Sequence, residues 1–268
     1  MKPDKLFQRW QSRLEGFQPD LKKEWALCRR TGEVESIHRL RVLLRRARLY
    51  LRLGNPILGK EKVENFRVWT TRVSNAVGRV RDYDVTLAWL QQQPGSLPVY
   101  QRLSKRRAML WTAARPKLQR CRELPLQALA GKPLKRQPKK RLASRFHKII
   151  AGARTEVLEF NSPLDPADTE HWHELRHDLR RLRYLRELYL SPKQQKADRL
   201  LQSVIQLQEF LGEAQNCVAA ATVLPKSEAV PEVKRLRDLL SAQRAEWLRK
   251  AELALKEFQK SQALKKVK

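Results

Sequence analysis

Histidine and arginine side chains, both able to bind anions, recur at matching positions in two stretches of the chain. The stretches read HRLRVLLRRARLY at His38–Tyr50 and HELRHDLRRLRYL at His173–Leu185. Seven residues of the first stretch recur in the second at a constant separation of 135 positions, about half of the 268 residues, and this predicts an internal repeat. The matched pairs are His38 and His173, Leu40 and Leu175, Arg41 and Arg176, Leu44 and Leu179, Arg45 and Arg180, Arg46 and Arg181, and Arg48 and Arg183.

Four basic side chains of each stretch share one face of a predicted helix. At about 100° per residue, His38, Arg41, Arg45 and Arg48 of the first stretch fall within about 80° of one another, beside an apolar face that contains Leu40 and Leu44. The second stretch has the same arrangement. We call His38, Arg41, Arg45 and Arg48 the first stripe, and His173, Arg176, Arg180 and Arg183 the second stripe.

A row of arginines on a helix is often only a solvated surface. Such a surface normally carries acidic residues three or four positions away, because these relieve the repulsion between like charges. The chain has no acidic residue between Glu35 and Glu61. We therefore expect unneutralised guanidinium groups that an external polyanion would compensate.

Overall composition leads to the same expectation. The chain has 57 Lys and Arg against 28 Asp and Glu, a net charge of +29, and 41% hydrophobic residues. Enough apolar residues are present to form a core, so the protein is predicted to be folded and not a disordered basic tail. The charge predicts a polyanionic partner: nucleic acid, an anionic membrane surface or a phosphate polymer.

No segment has the length and apolarity of a membrane span, and the first ten residues lack the core of a signal peptide. A cytoplasmic protein without membrane insertion is therefore expected. The three cysteines, Cys28, Cys121 and Cys217, are widely spaced and form no Cys-x-x-Cys motif, so we interpret them as helix-packing residues.

Apolar residues recur with helical spacing along the chain, and no alternating strand pattern occurs, so an all-α fold is predicted. We divide it into an N-terminal half at 1–130, a basic linker at 131–140 and a C-terminal half at 141–268. The linker reads GKPLKRQPKK and suits either a solubilising connection or a phosphate-holding loop. Most tryptophans fall in apolar patterns and are predicted to be core.

Glycine and proline predict several interruptions of these helices. The first helix is expected to break or bend near Gly16–Pro19, and a later one to end or kink at Pro116. Gly78 and Gly212 stand at nearly the same point of the two halves and predict a shared helix break or a close helix crossing. The C-terminal helix is expected over about 231–258, followed by a frayed basic tail.

Other chemistries are poorly supported. His171 and His173 project about 200° apart on a helix, and no cysteine or carboxylate cluster accompanies them, so no metal site is predicted. No nucleophilic triad or phosphate-binding glycine loop occurs. Asp82 and Asp84 are interpreted as ion-pair partners of the adjacent Arg79 and Arg81.

Arginine suits a phosphate chain because its planar fork matches two phosphate oxygens and it stays charged. Side chains for reading or stacking bases are few near the stripes: Tyr50, Tyr184 and Tyr189. The sequence therefore predicts affinity for a phosphate backbone. His38 and His173 are either packing or capping residues, or proton-binding members of the stripes whose protonation a bound polyanion favours.

Three motifs together resemble the CHAD domain, the conserved histidine α-helical domain. They are His-Leu-Arg with its arginine-rich continuation at His38–Arg48, Gly-x-Val-Arg-Asp-x-Asp-Val at Gly78–Val85, and His-x-Leu-Arg with Arg-Leu-Arg-Tyr at His173–Tyr184. Because both halves match in order, the resemblance covers nearly the whole chain, 1–268, as a single CHAD domain. The second half departs from the first where Asn216 and Val218 replace Asp82 and Asp84.

This resemblance implies an all-α fold of two pseudo-symmetric helical bundles around a basic groove or channel. It also implies binding of inorganic polyphosphate, and in some members location at polyphosphate granules. The implied binding residues are His38, Arg41, Arg45, Arg46, Arg48, His173, Arg176, Arg180, Arg181 and Arg183. Secondary basic positions are Arg52, Arg81, Arg141, Arg145 and Lys148.

Some CHAD domains follow a triphosphatase domain with a Glu-x-Glu-x-Lys motif. Glu33 and Glu35 are the nearest match here, but Ile37 stands where lysine is needed, and no upstream domain is expected. We therefore predict a non-enzymatic polyphosphate-binding protein, without cofactor or metal, in the cytoplasm and at polyphosphate granules. The alternatives are a nonspecific RNA- or DNA-backbone-binding protein and an enzyme that acts on phosphate polymers.

Overall fold

The computed structural model describes residues 2–121, 136–160, 163–226 and 230–263. Its described part contains helices and no strand, which confirms the predicted all-α class. The helices are α1 (Pro3–Thr31), α2 (Val34–Leu53), α3 (Asn55–Leu58), α4 (Lys60–Leu90), α5 (Leu97–Arg120), α6 (Arg136–Glu159), α7 (Thr169–Tyr189), α8 (Pro192–Ala197), α9 (Arg199–Val223) and α10 (Pro231–Ala263).

The chain forms two compact units, Met1–Phe146 and His147–Lys268. The boundary falls within α6 and not in the predicted linker. Residues 136–140 of that linker are helical, and residues 131–135 lie outside the described part of the chain. Pro138 is compatible with this start, because the first turn of a helix has no intrahelical partner for its N–H groups.

In the first unit, α2 packs against α1 and α4, while α5 packs against α4. The indole Nε1 of Trp10 donates a 2.8 Å hydrogen bond to the Tyr50 carbonyl and joins α1 to the end of α2. The predicted apolar face of α2 is the face that is buried. Core residues of this unit include Trp10, Leu14, Leu21, Leu40, Leu44, Leu51, Phe66, Val73 and Val77.

The second unit buries one cluster built from α6, α7, α9 and α10. Helix α9 packs against both α7 and α10. The Asp168 side chain accepts a hydrogen bond from the His171 N–H and so caps the start of α7. The cluster includes Trp172, Leu175, Leu179, Leu182, Val204, Leu207, Leu211, Leu248 and Leu255.

The predicted helix breaks are wrong, while the bend at Gly16–Pro19 and the kink at Pro116 stay predictions. Helix α1 continues through Gly16 and Pro19, and α5 continues through Pro116 to Arg120. Helices α4 and α9 continue through Gly78 and Gly212. Burial of apolar residues on both sides, such as Phe17 and Leu21 around Pro19, outweighs a loss of about 3 kcal/mol at an internal proline.

Close helix crossing is not the reason for the two glycines either. A Cβ atom at Gly212 would meet nothing within 4 Å, and one at Gly78 would approach only Nη1 of Arg41, at 3.8 Å. The C-terminal helix is longer than predicted, since α10 reaches Ala263; residues 264–268 of the predicted frayed tail lie outside the described part. No helix in the described ranges is long and apolar enough to cross a bilayer.

Replacement of Gly212 by alanine should stabilise the protein by about 0.5–1 kcal/mol, because glycine inside a helix carries an entropic penalty and a methyl group fits here. Gly32→Ala is the matched control and should destabilise. Gly32 has a φ of 62°, and its Cβ would overlap the ring of Trp111. Urea unfolding followed by circular dichroism measures both, and a loss of stability in Gly212→Ala would contradict this account.

Candidate anion-binding site

The first stripe lies along the edge of α2 between its buried face and solvent. His38, Arg41, Arg45 and Arg48 are each half-buried, whereas their neighbours Leu40 and Leu44 are fully buried. Burial of the leucines fixes the rotation of the helix, and the basic side chains are therefore held on one side of it. The structure places all four predicted residues of the first stripe together.

Backbone carbonyls of α4 and of α2 itself accept hydrogen bonds from the first stripe. Nη1 of Arg41 donates to the Ser74 carbonyl at 3.1 Å, and Nε of Arg45 donates to the Arg41 carbonyl at 3.2 Å. Gly78 of α4 lies beside the Arg41 guanidinium, since a Cβ atom added there would be 3.8 Å from Nη1. These contacts use backbone oxygens, so they orient the arginines while leaving their charge uncompensated.

Burial and mutual repulsion lower the pKa values of the cations in this site. Burial lowers the pKa of Arg41, and the nearby Arg45 adds to the effect. Burial also lowers the pKa of Arg48, with a contribution from Arg67 of α4, and burial lowers the pKa of Arg81. A negative ligand would relieve both the desolvation and the mutual repulsion.

Carboxylates supply part of that relief from a distance: Asp82 raises the pKa of Arg41, and Asp84, Glu35 and Asp82 raise that of Arg81, against the effect of burial. Within the described ranges, Arg41, Arg45, Arg48 and Arg81 form no ion pair within 4.0 Å. Asp82 is the nearest acid to influence Arg41, and burial raises its pKa although Arg41 and Arg79 oppose the change. The expectation of unneutralised guanidinium groups is thus met in the first stripe.

His38 begins the first stripe, and its pKa lies below the ordinary value. Burial is the largest cause, followed by the positive charge of Arg81; Arg45 and Arg41 act in the same direction, and Glu35 opposes them. The imidazole is therefore neutral at pH 7 in the free protein. It can gain a proton when negative charge approaches.

The second stripe differs from this expectation. The guanidinium of Arg183 donates to Glu187 at 2.8 Å, and Arg181 beside the stripe pairs with Asp178 at 3.0 Å. These two predicted binding residues are already neutralised by the protein's own carboxylates, so the prediction of free charge is wrong for them. The acids lie three and four residues away on α7, a spacing that the sequence itself displayed.

Further contacts in the second unit come from α9. His173 is exposed and lies 3.2 Å from the Gln215 side chain, and Arg183 also donates to Gln208 at 3.2 Å. The His177 ring lies 5.9 Å from that of His173, and burial together with Arg180 lowers the pKa of His177 to about 4. Arg176 and Arg180 are half-buried on the same helix.

The remaining predicted basic positions are more dispersed. Arg46 is half-buried on α2, beside the first stripe, and Arg52 is exposed one turn beyond it. Arg81 of α4 is near enough to His38, in the first stripe, for its charge to lower the pKa of that histidine. Helix α6 carries Arg141 and Lys148, both exposed, and the half-buried Arg145.

Asp84 has a partner that sequence proximity did not reveal. Its fully buried carboxylate accepts from Nε of Arg107 on α5 at 2.8 Å, and Nη2 of Arg107 donates to the Gly32 carbonyl at 2.6 Å. Pairing of Asp84 with Arg79 or Arg81 was therefore the wrong prediction. Arg107 connects α4 and α5 to the turn that begins α2, so it positions the first stripe from a distance.

Two of the three tyrosines near the stripes, Tyr50 and Tyr184, are buried and cannot stack on bases, while Tyr189 is half-buried. Trp10, Trp25 and Trp69 are buried as predicted, and Trp172 is buried as well. Trp89, Trp111 and Trp247 were also predicted to be core but are only partly covered. Burial raises the pKa of the Cys28 thiol to about 12 and that of Cys217 to about 11; Cys121 is partly exposed. No group of three or more metal-binding side chains occurs in the described residues.

The helical fold, the two His-Leu-Arg or His-x-Leu-Arg helices and the Gly78–Val85 segment of α4 are the features expected from the resemblance. The family model of the CHAD domain matches residues 13–225. The chain belongs to the CHAD domain family. No curated protein matches the sequence.

Solved structures share the fold of this CHAD domain protein. PptA from Streptomyces chartreusis superimposes with a TM-score of 0.63 at 18% identity, over 96% of this chain and 98% of that chain. The CHAD domain from the plant Ricinus communis gives a TM-score of 0.68 at 20% identity, over 93% of this chain and 91% of that chain. At these identities the likeness concerns the fold.

Replacement of Arg107 by alanine should lower the free energy of unfolding by about 3 kcal/mol, because it leaves the fully buried Asp84 carboxylate without its ion-pair partner. Urea unfolding measures the loss. The neighbouring Arg106 is exposed, and Arg106→Ala removes the same charge with an expected change within about 0.5 kcal/mol. Equal effects of the two substitutions would contradict a structural role for Arg107.

Proposed function

We propose that this CHAD domain protein binds inorganic polyphosphate without hydrolysing it. The observation that carries the proposal is the first stripe, where half-buried guanidinium groups of Arg41, Arg45 and Arg48 stand together without a carboxylate within 4.0 Å in the described residues. The location that goes with this function is the cytoplasm, at polyphosphate granules. The common basic groove or channel stays a prediction.

Helix geometry supports a polymer of closely spaced charges. Successive turns rise about 5.4 Å, so arginines one turn apart present donor forks at short, regular intervals. Phosphates linked directly to one another meet such a row without intervening sugars. Burial of Tyr50 and Tyr184 removes two of the three tyrosine faces near the stripes on which bases would stack, and Tyr189 is half-buried.

Nonspecific binding to an RNA or DNA backbone is the second candidate. The net charge of +29 favours it, because backbone binding requires only accessible cations. Helix α5 contributes exposed residues of this kind, including Arg102, Lys105, Arg106 and Lys117. This candidate places affinity in overall charge, whereas the polyphosphate proposal places it in the stripes.

An enzyme acting on phosphate polymers is the third candidate. The absence of a Glu-x-Glu-x-Lys pattern in the sequence supports simple binding. Incubation with long-chain polyphosphate and Mg²⁺ or Mn²⁺, followed by gel electrophoresis, tests it directly. Progressive shortening of the polymer by the purified protein would overturn the non-enzymatic proposal.

Long-chain polyphosphate should displace single-stranded RNA and duplex DNA from the protein at equal phosphate concentration. The expected binding constant falls with salt, with a logarithmic slope of about 0.7 to 0.9 per phosphate neutralised. Fluorescence anisotropy of a labelled nucleic acid measures both quantities. Preferential retention of nucleic acid would support the second candidate instead.

Replacement of Arg41, Arg45, Arg176 and Arg180 by alanine should reduce polyphosphate affinity at least about a hundredfold, since charged hydrogen bonds are lost. The matched control replaces Arg102, Lys105, Arg106 and Lys117 of α5, which removes the same net charge elsewhere. Circular dichroism checks that helix content is intact in both. Equal losses would show that overall charge, and not the stripes, provides the affinity.

Affinity should increase as the pH falls from 8 towards about 6. The free His38 has a lowered pKa because of burial and the nearby Arg81, Arg45 and Arg41, with Glu35 opposing. Bound phosphates raise the pKa of His38, so binding takes up a proton. The gain in affinity begins below the pKa of His38 in the complex and is complete below its pKa in the free protein. Titration calorimetry at constant salt measures it, with His38→Gln as the variant expected to reduce the slope. Equal wild-type affinity at pH 6 and pH 8 would refute the role of His38.

A further inference from the structure

The two matched helices have diverged in charge. Residues 38–53 contain six arginines and no acidic residue. The matching residues 173–188 contain five arginines and three acids, Glu174, Asp178 and Glu187. In the first copy these three positions are Arg39, Leu43 and Arg52, so the difference lies in the acids and not in the stripe residues themselves.

Two of the added acids contact the basic row of α7. Asp178 pairs with Arg181 at 3.0 Å, and Glu187 pairs with Arg183 at 2.8 Å. The Asp178 and Glu187 side chains are 19% and 14% exposed, respectively. Such partly buried pairs are screened less by salt than surface pairs. A phosphate would have to replace an internal carboxylate to bind these arginines.

The supporting helices differ in the same direction. Arg81 of α4 influences the charge state of His38 in the first unit. Gln215 stands at the corresponding point of α9, 134 positions later as for Gly78 and Gly212, and contacts His173 at 3.2 Å. A neutral amide in the second unit thus stands where the first unit has a cation near the matched histidine.

Two substitutions have the opposite sign. Val218 stands where the first unit has Asp84, but the Asp84 carboxylate is already paired with Arg107 at 2.8 Å. Asp82 in the first unit corresponds to Asn216 in the second, whose side chain donates to Glu213 at 3.2 Å. Asp82 makes no ion pair within 4.0 Å in the described ranges, and burial raises its pKa. Its effect is therefore weaker than that of the contacting pairs made by Asp178 and Glu187.

From these differences we infer that the phosphate chain is bound mainly by the N-terminal half, at the site formed by α2 and α4, and that Asp178 and Glu187 attenuate the C-terminal half. The inference rests on the proposed function, which it refines. Asp178 and Glu187 become internal competitors that lower the affinity of the weaker C-terminal half.

Two matched double substitutions test the asymmetry, because each removes two arginines at equivalent positions. Arg41→Ala with Arg45→Ala should weaken binding of long-chain polyphosphate about tenfold or more. Arg176→Ala with Arg180→Ala should weaken it less than about threefold. Titration calorimetry at fixed salt and pH measures both, and circular dichroism checks folding.

A gain of affinity provides a test that misfolding cannot imitate. Asp178→Asn with Glu187→Gln removes the internal competitors while keeping side-chain size, and should strengthen polyphosphate binding about threefold or more. Glu246→Gln with Glu252→Gln is the control: these acids pair with exposed lysine and arginine residues of α10, and their removal adds the same net charge. The control should change affinity less than about twofold.

The outcomes separate the two proposals. Absence of polyphosphate binding by the wild-type protein would overturn both. Polyphosphate binding with equal losses in the two arginine variants would overturn the asymmetry alone. Equal gains from the α7 and α10 carboxylate variants would show that Asp178 and Glu187 act only through net charge, and would likewise overturn it.

Discussion

The confinement of like charges at the edge of an apolar core is the constraint on which this structure depends. Arg41, Arg45 and Arg48 share a helix with Leu40 and Leu44, which are fully buried. Burying the leucines removes apolar surface from water and fixes how α2 is rotated. The same rotation brings the guanidinium groups together and partly removes them from solvent. The core thus holds the cations in an arrangement that they would not adopt by themselves.

The surrounding helices maintain this arrangement through backbone oxygens. Ser74 of α4 offers its carbonyl to Arg41, and Gly32 offers its carbonyl to Arg107 at the entrance to α2. A carbonyl orients a guanidinium without cancelling its charge, whereas a carboxylate does both. Carbonyl contacts therefore suit the proposed anion-binding site, because they leave its positive charge in place. Where carboxylates take their place, as on α7, the protein's own acids neutralise part of the row of arginines.

In a packed helical protein, glycine and proline do not reliably indicate where a helix ends. Pro19 and Gly212 predicted interruptions from intrinsic preference, but long continuous helices bury apolar residues on both sides of them. The free energy of that burial exceeds the local penalty of each residue. Gly32 behaves differently, because its positive φ and the adjacent Trp111 ring require glycine in the folded state. Its importance follows from a neighbour 79 positions away in the sequence.

The sequence by itself determined the all-α class, the family and the residues of the first stripe, because helical periodicity places both the leucines and the arginines. It also contained the i,i+3 and i,i+4 acids of Asp178 and Glu187, which the interpretation of the second stripe overlooked. Only the tertiary structure decided that Asp84 pairs with Arg107, that Ser74 supports Arg41 and that Gln215 contacts His173. Those contacts join separate helices, and their partners depend on how the helices pack, which the local spacing of residues does not specify.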